Sequence, residues 1–199
     1  MKRTVAMVAA LLLLITACSS DDESSTTTTT TRDQAPSTTE GLAPGTVTVD
    51  AWAETFCGAF SNWRSGIENV GPRAEANLSS ATSQSEARDS VVALLDEALV
   101  LTTVLIDEVE GQDPPDMDGG EGVVAAFTDT FQGFVGLIET SREEVEAVEV
   151  ESDSFGQQMK AIYADFQNDF AAIGNLFAEI DRQYPDPEFQ LALTDACGL

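Results

Sequence analysis

Residues 50–67 read DAWAETFCGAFSNWRSGI, and their apolar spacing decides the fold class. Trp52, Phe56, Phe60, Trp63 and Ile67 recur at intervals of 4, 4, 3 and 4, which is one face of an α-helix. Asp50 stands near its start, and Gly71-Pro72 is read as its stop. Ser83-Gln84-Ser85-Glu86 is a capping-box pattern that opens a second helix. That helix carries Val91, Leu94, Leu95, Ala98, Leu99, Leu105, Ile106 and Val109, and Gly111 ends it. A third helix begins near Glu121, with Phe127, Phe131, Phe134, Ile138, Val145 and Val148 on its seam and Ser141 filling a gap. The fourth follows Ser154 and places Phe155, Met159, Ile162, Phe166, Phe170, Ile173, Phe177, Ile180 and Tyr184 on one stripe. Tyr184-Pro185 closes it, and Asp186-Pro187 reads as N-cap and first turn of a short fifth helix to Ala196. No strand-like alternation of useful length occurs. The expectation is an all-α, four-helix bundle-like domain over 47–199, with a short fifth C-terminal helix. The stretch from Val70 to Thr82 is long for a bundle turn and is read as a crossover or a further helical piece.

Outward of this body the composition changes. Residues 19–46 contain one Leu and no aromatic side chain. Such a segment buries too little apolar surface to offset its ordering entropy, so a disordered tether is expected, about 30 Å in span. Its Ser/Thr richness fits a glycosylated stalk or, more simply, a plain spacer. Before it, Lys2 and Arg3 precede a 14-residue apolar stretch, Thr4 to Ala17. That is shorter than the ~20 residues a membrane-spanning helix needs and matches the apolar region of a secretory signal.

The signal ends Leu14-Ile15-Thr16-Ala17-Cys18. This resembles the lipobox of bacterial lipoproteins, with an aliphatic residue and small residues before an obligatory Cys. The resemblance covers only the first 20 or so residues. It implies removal of 1–17, acyl chains on Cys18, and a mature chain held to the extracytoplasmic face of a membrane, anchored in the bilayer through those chains.

Export also bears on the other cysteines. With Cys18 lipidated, Cys57 and Cys197 remain as a pair in a compartment where disulfides persist. A fifth helix running back along an up-down-up-down bundle brings Cys197 to Cys57, so a structural disulfide is expected. Closing a loop of this length is worth roughly 5 kcal/mol in the chain-entropy model.

Charge and composition exclude several functions. The chain has 35 acids, 9 bases and no His. Without His there is no Ser-His-Asp system and no His-ligated zinc. A net charge of −26 argues against nucleic acid and against an anionic lipid surface. Loss of Lys2 and Arg3 with the signal leaves 35 acids against 7 bases. The acidic stretch around Asp113, Asp116, Asp118 and Glu121 is the only weak metal candidate, and it fails the calcium-loop pattern: from Asp116, position 5 is Gly120 and position 12 is Phe127. Six further acids, Glu143, Glu144, Glu146, Glu149, Glu151 and Asp153, crowd the turn between the third and fourth helices and oppose the helix dipole. Tyr163 and Tyr184 have the chemistry to ligate haem iron, with nothing else to support it. Gly58, Gly133, Gly136, Gly156 and Gly174 lie inside helices, which suggests close helix crossing or backbone approach to a ligand. No cofactor and no catalytic residue is indicated. The reading is therefore a non-enzymatic binding module of the cell envelope with an envelope protein as partner. The alternative is a carrier or sensor of a small apolar ligand held between the helices, and an enzyme ranks third.

Overall fold

In a computed structural model, residues 42–198 are described, apart from the side chains of residues 71, 74 and 173–177. The expected signal segment, Cys18 and nearly all of the expected tether lie outside them. Five α-helices follow in order: α1 Val49–Ser80, α2 Gln84–Glu110, α3 Gly120–Ala147, α4 Phe155–Gln183 and α5 Pro187–Cys197. The four-helix bundle-like body with a short fifth helix is thus the observed architecture.

The caps follow from local chemistry. Thr48 accepts the Ala51 N–H at the start of α1, and Asp50 sits exposed in the first turn. Ser83 accepts the Glu86 N–H at 3.1 Å. The Glu86 carboxylate reaches one residue further back than a capping box requires, taking the Thr82 N–H at 2.6 Å and its hydroxyl at 2.8 Å. Those bonds hold its pKa below the ordinary carboxylate range. Asp186 accepts the N–H groups of Glu188 and Phe189, with Pro187 at the first helical position. Ser154, in contrast, makes no cap bond to the backbone of α4. Its hydroxyl is engaged by Ser152 and Gln158 instead.

Pro72 does not end α1, contrary to the expectation from Gly71-Pro72. The helix continues two turns beyond it to Ser80, so the stretch after Val70 extends α1 itself. An internal proline costs about 3 kcal/mol in an isolated helix, chiefly through a lost backbone bond and a ring clash. Tertiary contacts on both sides outweigh this. Val70 is buried before it, Arg73 pairs with Glu97 of α2, and Leu78 packs against the cluster formed by α2 and α3 side chains.

Packing runs in the order α4–α3–α2–α1–α5, each helix lying mainly on its neighbour in that series. At one end a single cluster draws on all five helices, from Val49, Trp52 and Phe56 through Val109, Phe127 and Ile180 to Phe189. A smaller cluster at the other end joins Val91, Leu95, Ile138 and Val145. The third-helix seam is buried as read, with Ser141 5% exposed among the apolar side chains. Gly66 lets α1 and α2 approach: a methyl group there would lie 2.8 Å from Leu101 Cδ2. The expected close-crossing glycines Gly58 and Gly136 instead face open space. Cys57 and Cys197 form a disulfide with Cα atoms 5.0 Å apart. It fixes α5 along the first turns of α1, where Phe189 meets Trp52 at 5.6 Å between ring centres.

Candidate functional site: an aromatic row that surfaces on α4

The 4-4-3 spacing on α1 and the 4-3 spacing of Phe127, Phe131 and Phe134 on α3 set two lines of rings against each other. Trp52 stacks on Phe56 at 5.1 Å, and Phe56 meets Phe127 at 4.5 Å. Phe60 and Trp63 continue the row, Trp63 meeting the edge of Phe131 at 5.7 Å. Phe134 then passes it to Phe170 of α4 at 5.1 Å, and Phe166 flanks Phe170 at 6.0 Å. Such offset and tilted pairs add about 0.5–1.5 kcal/mol each to simple burial. The Trp63 indole N–H donates to the Thr102 hydroxyl at 3.1 Å, which itself donates to the Ala98 carbonyl. Trp63 is therefore fixed in orientation.

Exposure changes sharply along the row. Trp52 is 1% exposed, Phe131 0%, Phe134 4% and Phe170 43%. Phe170 belongs to the same inward stripe as Phe166 and Ile180, so its exposure marks missing cover on the inner side of α4. The flanking turn agrees: Asn168, Asp169, Phe170, Ala171 and Ala172 are all exposed, which is more than one full turn of 3.6 residues. Among the described residues α1 and α4 share no extended contact, although both pack on the elements between them. Among the described residues the middle of α4 is thus an apolar helix face with Phe134 behind it and no helix in front of it. Phe170, one member of the fourth-helix stripe, is thus not a core side chain.

A second opening lies beside the disulfide, an open cleft of about 350 Å³ lined by Cys57, Phe60, Arg64, Glu68, Ala196 and Cys197. It reaches the flank of the same row at Phe60.

The surface field is acidic. From residue 42 onward there are 30 acids and 6 bases. All five arginines there are already engaged with carboxylates: Arg64 with Glu68, Arg73 with Glu97, Arg88 with Asp89, Arg142 with Asp96 and Glu146, and Arg182 with Glu179. The bond that Arg142 donates to the Asp96 carboxylate raises the pKa of the guanidinium further. Among the described residues most carboxylates are therefore left without an ion pair to an arginine.

The acidic loop has a structural role. Val47 and the loop exchange backbone bonds, Val47 N–H to the Pro114 carbonyl at 3.0 Å and Asp116 N–H to the Val47 carbonyl at 2.7 Å. Gly119 has φ +82° and caps α3, and methyl groups on Gly120 and Gly122 would strike the Pro115 carbonyl and the Tyr184 hydroxyl. Among the described residues no three acids or cysteines converge on a metal position, so Asp113, Asp116, Asp118 and Glu121 are not brought together as a site. Tyr184 packs over these glycines, while the Tyr163 hydroxyl accepts a bond from Gln167 at 2.5 Å and burial raises its pKa. The tyrosines are thus occupied separately. Sequence reading missed the Gly119-Gly120-Glu121-Gly122 seat; its signal is the glycine spacing at a helix start. Sequence reading likewise had no signal for the gap beside Phe170, which depends on where α1 and α4 sit.

No family model, curated protein or solved structure matches the chain.

Proposed function

We propose that this chain is a lipid-anchored binding module of the cell envelope, which engages another envelope component through the uncovered middle of α4. The observation that supports it best is Phe170: an aromatic side chain on an inward stripe, backed by Phe134 yet 43% exposed. An aromatic anchor already supported by packed rings loses little side-chain freedom on binding, which is how interface hot spots reach about 2 kcal/mol or more. The anchor rests on Leu14-Ile15-Thr16-Ala17-Cys18. Among the described residues no helix is long and apolar enough to cross a membrane.

A photoreactive residue at position 170, in the protein expressed in its own host, tests the site. Cross-linking there to a discrete envelope component, with none from exposed Gln132 on α3, is the expected result. Equal yields at both positions would rule the site out. The anchor is tested by Cys18→Ala, which should leave an uncleaved precursor without acyl chains; normal processing of that variant would refute it.

A further inference from the structure

The uncovered face of α4 centres on the exposed turn of residues 168–172. Phe170 lies on it, flanked by half-buried Phe166, with Phe134 beneath and Trp63 of α1 meeting Phe134 from the other side. Its flank carries Asp165 and Asp169, both exposed. The remaining cation on α4 besides the paired Arg182 is Lys160. An apolar stripe between helices, with acids beside it, is complementary to a helix whose apolar face is bordered by Lys and Arg. We propose that the occupant is a basic amphipathic helical segment of another protein, laid along α4 with an apolar side chain against Phe170. This assignment rests on the binding role proposed for α4 and adds the chemistry of the partner.

Charge separates this occupant from its rivals. A second copy of the chain would bring 30 acids and 6 bases of its own from residue 42 onward, and would set like charges against Asp165 and Asp169. Like charges brought close together in an interface are strongly unfavourable. An anionic lipid surface meets the same repulsion. A small apolar molecule would satisfy Phe170 but leave the acids without partners. Only a cationic, apolar-faced segment meets both features.

The experiment uses the chain from residue 18 onward with Cys18→Ser, to keep it free of lipid. The probe is a synthetic Leu/Lys amphipathic peptide about five helical turns long, with a Leu/Glu peptide of the same pattern as its counterpart. Calorimetric titration should show binding of the Leu/Lys peptide and none of the Leu/Glu peptide. Phe170→Ala should weaken it at least about tenfold, as for an interface anchor. Val104→Ala, at a 49% exposed position on α2, should leave it unchanged. Should Phe170→Ala lose helicity, Asp169→Lys gives an independent readout and should weaken binding as well. Binding indifferent to both variants would mean general attraction to an acidic surface and would overturn the proposal. So would equal binding of the Leu/Glu peptide, or self-association that buries position 170. A cross-link from position 170 in cells combined with no peptide binding would leave the site standing and reject its assigned chemistry. Failure of both would reject the site itself.

Discussion

Gly120 and Gly136 lie in one helix and should respond oppositely to a methyl group. At Gly120 the methyl would meet the Pro115 carbonyl, and that loop is held in place by its bonds to Val47. Gly120→Ala should destabilise the protein by about 1–3 kcal/mol, the range for overpacking at a site that cannot relax. Around Gly136 a methyl meets nothing, so Gly136→Ala should stabilise by about 0.5–1 kcal/mol through helix propensity. Urea unfolding midpoints of the two variants check both signs. Glu86 supplies a pH-dependent test. Its pKa in the folded protein is lowered by the Thr82 N–H, then by the Thr82 hydroxyl. A lowered folded value means the stabilisation is present above the unfolded carboxylate pKa of roughly 4.3 and is lost as pH falls through the folded value. Glu86→Gln should therefore narrow its stability deficit relative to the parent as pH is taken below that point, measured as the difference in unfolding midpoint. The capping pattern at 83–86 is visible in the sequence because it is local. Its principal partner, Thr82, is not, because a flexible carboxylate can favour the N–H one residue further back than Ser83.

Among elements, α1 shows where local rules give way. Helix-breaking by Pro72 is the natural local reading, and the buried Val70, the Arg73–Glu97 pair and Leu78 override it. The partner of Arg73 comes from α2, with Glu97 lying 24 residues beyond it, and the cluster under Leu78 from α2 and α3, so no pattern within 50–80 contains them. Pro72→Ala should restore the missing backbone bond and raise stability by up to about 3 kcal/mol, with slower amide exchange over residues 72–80. The fifth helix depends on its staple in the opposite sense. Eleven residues are too few for a stable isolated helix, so α5 relies on Phe189, Ala192 and the Cys57–Cys197 disulfide. Reduction should cost about 2–4 kcal/mol and expose Trp52, seen as a red shift in its emission. This pairing is legible because the lipobox reading assigns Cys18 to lipid and leaves Cys57 and Cys197 as an even pair. The gap beside α4 is not legible: the Phe166–Phe170 stripe has the same period whether a neighbour covers it or not.

At the scale of the whole molecule, the chain enters the bundle at Val47, clasped by the α2–α3 loop, and the acid-rich turn of residues 143–153 lies at the far end of α3. With a helix rise of 1.5 Å per residue, about 40 Å separates the two ends. An anchor at Cys18 would then lie nearest the C-terminal end of α4, where Tyr184 packs on the α2–α3 loop, with the acid-flanked apolar turn of residues 165–172 midway along the bundle. Surplus negative charge keeps copies of such a molecule apart and steers cationic partners toward it, at the expense of salt sensitivity. Under the proposed binding role α4 is uncovered in the free protein and covered by a partner in the cell envelope. Hydrogen exchange over residues 165–172, compared between the purified protein and the protein in native envelope membranes, tests it most directly. Slower exchange in the envelope across that turn, with residues 127–134 of α3 unchanged, is the expected result. Equal rates at 165–172 in the two settings would contradict it.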